Sequence, residues 1–268
     1  MPLCDVHWHS KILKQKLGMN VILPEIGEGP YDVLYLLHGL SDDYTTWVRR
    51  TRIEWYVRDL PLIIVMPDGQ RGWYTDNEKG PAYGRYLGEE VVSFVERTFP
   101  VRSDRAGRHI GGLSMGGYGA LRTALRYPDL FCSANSHSGA LFHGSADWTL
   151  PDEHEDRRAF PEEMHQIFGT RPEGSSHDIL ALARSAQVAG LLPRMLLDCG
   201  TEDFLLEANR RFHQELNHLK IPHTYHEFPG GHVWDYWDLH VQEAIRFHLS
   251  PESAEKSQLP QINTDGHR

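Results

Sequence analysis

The sequence predicts an α/β fold: a mostly parallel, twisted sheet of about eight strands with helices on both faces. Short apolar runs recur between amphipathic helical stretches, the alternation of a parallel sheet with crossover helices. The runs in the middle of the chain are unbroken hydrophobic or small-residue segments, as strands buried on both faces should be. The segment Gly112-Leu113-Ser114-Met115-Gly116 fits G-x-S-x-G, a sharp strand-to-helix turn with a serine at its apex.

In chain order, residues 5–9 and 19–23 read as the first two strands. His7 and His9 alternate on the first, but no third ligand signals a metal site. Residues 33–37 form a third strand, and 62–66 a fourth that ends at Pro67-Asp68-Gly69. Leu87, Val91, Phe94 and Val95 make one stripe of a helix over 86–99. Residues 108–112 are a fifth strand, leading through the elbow into a helix over 115–127. Ala120, Leu121, Ala124 and Leu125 hold helical spacing there, and Pro128 stops it. Strands follow at 133–137, closed by Ser138-Gly139, at 194–198, and at 223–228, closed by Pro229-Gly230-Gly231. Phe212 and Leu216 mark the apolar side of a helix over 205–219, and a last helix covers 236–249. Residues 1–249 therefore form one domain, and the polar, aperiodic tail 250–268 predicts disorder.

One long excursion, 141–190, interrupts this rhythm with a charged run at 152–158, helical character over 160–168 and a possible helix start at Ser176-His177-Asp178. Its length suggests a lid over the substrate pocket.

The formal net charge of −10 argues against nucleic acid and anionic membranes as partners. No apolar run approaches the roughly 20 residues that span a bilayer, and the first residues lack a secretory signal. The three cysteines, at 4, 132 and 199, are odd in number and far apart, which points to reduced thiols and a cytoplasmic protein.

A serine hydroxyl is a poor nucleophile at neutral pH and needs a base, which needs an orienting acid. At an elbow of this kind the acid and then the histidine follow the serine in the chain. Asp203 and His232 both fall just past candidate strands, at the carboxyl edge where such sheets build their sites. Asp198 and Glu202 compete with Asp203, but the first lies within a strand end and the second should face the other way. Among 17 histidines, His232 stands out because two glycines precede it in a post-strand loop. An oxyanion would need two aimed N–H groups, expected from Met115 and from Leu40 in His38-Gly39-Leu40. His38 itself reads as a structural hydrogen-bonder.

Leu37-His38-Gly39-Leu40-Ser41-Asp42, Met66-Pro67-Asp68-Gly69, the elbow, Gly200 to Leu205, and Gly231-His232-Val233-Trp234-Asp235-Tyr236-Trp237 together resemble the esterase D family of α/β-hydrolases. That family includes tributyrin-type carboxylesterases, S-formylglutathione hydrolases, feruloyl and acetylxylan esterases and mycolyltransferases. The resemblance covers roughly residues 5–249 and is closest to the tributyrin esterase branch. It implies a single α/β-hydrolase domain acting on a small acyl ester, with Ser114 as nucleophile, Asp203 as acid, His232 as base, and Leu40 and Met115 as oxyanion donors. No metal or organic cofactor is implied, and a homo-oligomer is compatible with the family. S-formylglutathione hydrolases carry a cysteine-containing motif after the oxyanion-loop glycine, and Ser41-Asp42-Asp43 departs from it. Short-chain acyl esters are the expected substrates. Feruloyl or acetylated carbohydrate esters, thioesters and acyl transfer to an alcohol are the alternatives. Trp47, Trp148 and Trp234, with Trp73 and Tyr74, lie in or near loops at the catalytic edge and could shape the substrate pocket.

Overall fold

A computed structural model of the chain describes residues 1–141 and 160–250. All eight strands form: β1 Leu3–Ser10, β2 Gln15–Ile22, β3 Asp32–Leu37, β4 Leu62–Pro67, β5 Arg108–Leu113, β6 Ser133–His137, β7 Arg194–Gly200 and β8 Thr224–Phe228. They make one sheet in the order β1-β2-β4-β3-β5-β6-β7-β8. The β1–β2 and β2–β4 pairs are antiparallel, and every pair from β4 through β3, β5, β6 and β7 to β8 is parallel. Every residue of β4, β5 and β6 is buried, as their uninterrupted runs require, whereas β1 alternates in burial at one edge and β8 is half-buried at the other.

The pleat divides the core. Val33, Tyr35 and Leu37 of β3 join Ile63, Val65 and Ile110 on one face, while Leu34 and Leu36 join Ile64, Met66 and Leu113 on the other. The first face is covered by α4 (Val92–Thr98), α5 (Met115–Arg126), α6 (Phe160–Phe168), α7 (Ile179–Val188) and α8 (Leu206–His218). The second is covered by α1 (Thr46–Arg50), α2 (Ile53–Val57) and α9 (Trp234–Leu249). Helices α1 and α2, five residues each, are too short to carry a periodic signal and went unpredicted. The helix expected over 86–99 begins earlier, as α3 (Tyr83–Arg85), and passes through a π-helical segment, Tyr86–Val91, before α4. No helix of the described residues is long and apolar enough to cross a membrane.

Of the excursion, residues 142–159, with Trp148, lie outside the described residues. Its remainder is packed onto the body. Phe160, Met164, Ile167 and Phe168 of α6 are buried, and Phe168 meets Trp73 and Tyr118 at ring distances of 5.4 and 5.6 Å. Arg71 grips Glu163 through two N–H···O bonds of 2.7 and 2.6 Å. Asp178 caps α7, its Oδ1 accepting from the N–H groups of Leu180 and Ala181 at 2.9 and 3.2 Å, so a helix does start there.

Candidate active site

Ser114 sits between β5 and α5 with φ 54° and ψ −117°, a conformation that side chains with a Cβ rarely adopt. The turn is held from three sides. Ser114 N–H donates to the His137 carbonyl at 2.9 Å, and the Ser114 carbonyl accepts from Tyr118 and Ala140 N–H at 3.1 and 3.0 Å. The glycine at 116 is a steric necessity: a Cβ there would lie 2.5 Å from the Leu37 carbonyl oxygen and 2.6 Å from that of His38. Helix α5 thus crosses directly over the end of β3, which turns the serine out at the sheet edge.

Asp203 follows β7 in a turn closed by its own N–H to the Gly200 carbonyl, 3.1 Å. Its side chain is fully buried, with Oδ1 accepting from Leu205 N–H at 2.8 Å and Oδ2 facing His232 Nδ1 at 2.8 Å. His232 follows β8 through Gly230, whose φ of +134° is open to glycine alone. Its Nε2 lies 3.0 Å from Ser114 Oγ. A carboxylate can only accept, so Nδ1 carries the proton and Nε2 offers its lone pair to the serine hydroxyl. The three side chains expected from chain order, placement past strands and family resemblance therefore lie in one hydrogen-bonded line.

The two competing acids are engaged elsewhere. Glu202 binds the Gly230 N–H and the Thr201 hydroxyl, and its own N–H donates to the Gly230 carbonyl at 3.0 Å, so it clamps the loop before His232. Asp198 is buried below the site between His137 Nδ1, 2.6 Å, and the Tyr236 hydroxyl, 2.9 Å. Burial, together with the Asp198 charge, pushes the Tyr236 phenol up, so it stays a donor. Sequence reasoning missed this His137–Asp198–Tyr236 cluster; a carboxylate ending an apolar strand was its only signal.

Leu40 follows Gly39 in the loop after β3, where a Cβ on Gly39 would lie 3.8 Å from that of Ser114, and Met115 opens α5. Neither N–H donates to any acceptor among the described residues. The loop before Leu40 is pinned by His38, whose Nε2 accepts from Gly69 N–H at 2.9 Å while Nδ1 donates to the Gly39 carbonyl at 2.8 Å. Tyr74 adds to the pin: its hydroxyl accepts from His38 N–H at 3.1 Å, and burial drives its phenol pKa far upward.

The tryptophans divide. Trp47 is 1% exposed and donates from Nε1 to the Leu37 carbonyl at 3.0 Å, so it braces β3 and does not line an open pocket. Trp73 and Tyr74 are buried packing residues too. Trp234 is half-buried, edge-on to Trp47 and to Trp237 at 5.3 Å each. Trp237 in turn packs edge-on against the His232 ring at 4.9 Å.

This sheet, with a serine, an imidazole and a carboxylate gathered at the carboxyl ends of β5, β8 and β7, defines an α/β-hydrolase of the serine-hydrolase class. A family model described as "Putative esterase" matches residues 10–248, and the chain belongs to that esterase family. An acetyl esterase of Caldicellulosiruptor saccharolyticus is 32% identical over 262 residues, which span 92% of this chain and 98% of that protein. Among solved structures, the fluorophosphonate-binding serine hydrolase FphF of Staphylococcus aureus superposes with a TM-score of 0.81 at 29% identity, over 93% of this chain and 99% of the other. The S-formylglutathione hydrolase FrmB of the same organism gives 0.79 at 29% identity, over 93% and 100%. The protein is accordingly a carboxylic ester hydrolase of the serine type.

Proposed function

We propose that the enzyme hydrolyses short-chain acyl esters through a Ser114–His232–Asp203 triad and a covalent acyl-enzyme. The observation that carries this reading is the continuous line Asp203 Oδ2–His232 Nδ1–His232 Nε2–Ser114 Oγ, with gaps of 2.8 and 3.0 Å. His232 takes the serine proton as Oγ attacks the ester carbonyl, and buried Asp203 stabilises the imidazolium that forms. The carbonyl oxygen, gaining charge, is received by the Leu40 and Met115 N–H groups, the second at the positive end of α5. Collapse expels the alcohol, whose oxygen takes the proton back from Nε2. A water then gives its proton to Nε2, attacks the acyl-serine, and releases the carboxylic acid with Ser114 restored.

A short acyl group is supported by the name of the Caldicellulosiruptor relative, an acetyl esterase at 32% identity. A thioester is the second reading, favoured by the likeness to FrmB, although Ser41-Asp42-Asp43 lacks the cysteine expected of that branch. The test is a 4-nitrophenyl series from acetate to decanoate, beside a feruloyl ester and S-formylglutathione, with wild type and Ser114→Ala. Activity peaking at acetate to butyrate, with labelling by a fluorophosphonate lost in Ser114→Ala, is the expected result. Full turnover by Ser114→Ala, or a peak at decanoate, would overturn it.

A further inference from the structure

Asp203 and His232 are each followed in the chain by an apolar side chain left in solvent: Phe204 is 45% exposed and Val233 is 50% exposed. Single exposed hydrophobic residues are ordinary, but Phe204 borders the His232 imidazole and Val233 follows that histidine directly in the chain. The Phe204 ring centroid lies 4.7 Å from that of His232, tilted by 55°. Its neighbours Leu205 and Leu206 turn into the core, at 4% and 9% exposure, so a run of three apolar residues sends only its first outward. Among the described residues the imidazole's other aromatic neighbour, Trp237, is buried at 4% exposure, which makes Phe204 its solvent-side aromatic neighbour. The nearby Glu202 carboxylate is committed to Gly230 N–H and the Thr201 hydroxyl.

We infer that Phe204 and Val233 form the subsite for the alcohol half of the ester, and that this half is apolar and ring-bearing, a benzyl-type leaving group. The inference rests on the acyl-transfer reading above and deepens it. Nε2 must hand its proton to the leaving oxygen, which brings that oxygen within hydrogen-bond reach of the imidazole. The group attached to it then lies against whatever borders the imidazole on the solvent side. Among the described residues the aromatic ring on that border is Phe204, whose side chain carries no hydrogen-bonding atom. Aromatic or aliphatic surface gains there from contact and from leaving water, and a strongly hydrated alcohol does not.

The experiment compares benzyl acetate with 2-methoxyethyl acetate, which share the acyl group and have alcohols of similar acidity, and adds a peracetylated glucoside. Wild type should favour the benzyl ester by about tenfold in kcat/KM, the scale of one aromatic contact with the area it buries. Phe204→Ala should remove most of that preference, and Val233→Ser should reduce it by roughly threefold. An unchanged benzyl-to-methoxyethyl ratio in Phe204→Ala, with both esters slowed alike, would make the ring a support for His232 and overturn the subsite. A wild-type preference for the glucoside, lost in Phe204→Ala, would overturn the benzyl assignment. Equal turnover of all three esters overturns the subsite while leaving the esterase reading standing, whereas no turnover of any overturns both.

Discussion

Replacing Ser114 by glycine should give a more stable protein than replacing it by alanine, with both variants silent. The backbone at 114, with φ 54° and ψ −117°, lies where only glycine is at ease. A residue with a Cβ held in such a region costs about 1–3 kcal/mol. Ser114→Ala keeps the Cβ and the strain, whereas Ser114→Gly removes both. Each variant loses the same 3.0 Å bond from Oγ to His232 Nε2, so that loss cancels in the comparison. Against the relief stands the larger unfolded-state entropy of glycine, roughly 0.5–1 kcal/mol. The glycine variant should therefore exceed the alanine variant by about 1 kcal/mol. Reversible urea unfolding of both at 25 °C, with a common m-value, reads this difference directly. The melting temperature should rise by roughly 2 °C for a domain of this size, and ester hydrolysis should be lost in both. A glycine variant less stable than the alanine variant would refute the argument that the elbow stores strain.

Three further expectations follow from the same structure. Asp203→Asn keeps the shape of the buried acid but favours the wrong imidazole tautomer, so kcat should fall by about 10⁴; a steady-state assay finding less than a tenfold loss would remove Asp203 from the triad. Gly116→Ala drives a Cβ to 2.5 and 2.6 Å from two backbone carbonyl oxygens. It should cost ~3 kcal/mol, the upper end of overpacking penalties, and a urea midpoint equal to wild type would contradict the tight crossing of α5 over β3. His248 is buried between Ser133 Oγ, 2.7 Å, and Asn135 Oδ1, 2.9 Å, and burial holds its pKa well below the ordinary 6.5. Below pH 6.5 the unfolded chain binds a proton that the folded one refuses, so stability falls as pH falls toward the folded-state pKa. His248→Gln should flatten that slope by about 1.4 kcal/mol per pH unit, measured by unfolding at pH 5, 6 and 7. Burial likewise lowers His177, His213 and His240, which keep part of the slope. His109 opposes it: burial lowers its pKa, but Asp32 and Cys132 outweigh that and raise it.

Local pattern made much of this protein legible from its residues. The eight strands were visible as short apolar or small-residue runs between turn signals, most plainly β3 and β4, which are buried and apolar almost throughout. The elbow was visible because only glycine permits the approach at 116, and the order serine, acid, histidine follows the order of strands that end at one edge. What the chain could not reveal locally was decided by residues distant in sequence. His232 meets Ser114 across 118 residues and Asp203 across 29. Which of Asp198, Glu202 and Asp203 faces the imidazole depends on how β7, β8 and α9 sit together, since each carboxylate finds its partner on another element. The same holds for Trp47, sealed under Trp234 by the packing of α1 against α9, and for Phe204, left in solvent beside the ring. Neighbours along the chain set the backbone's conformation, but burial and hydrogen-bond partners belong to the assembled fold.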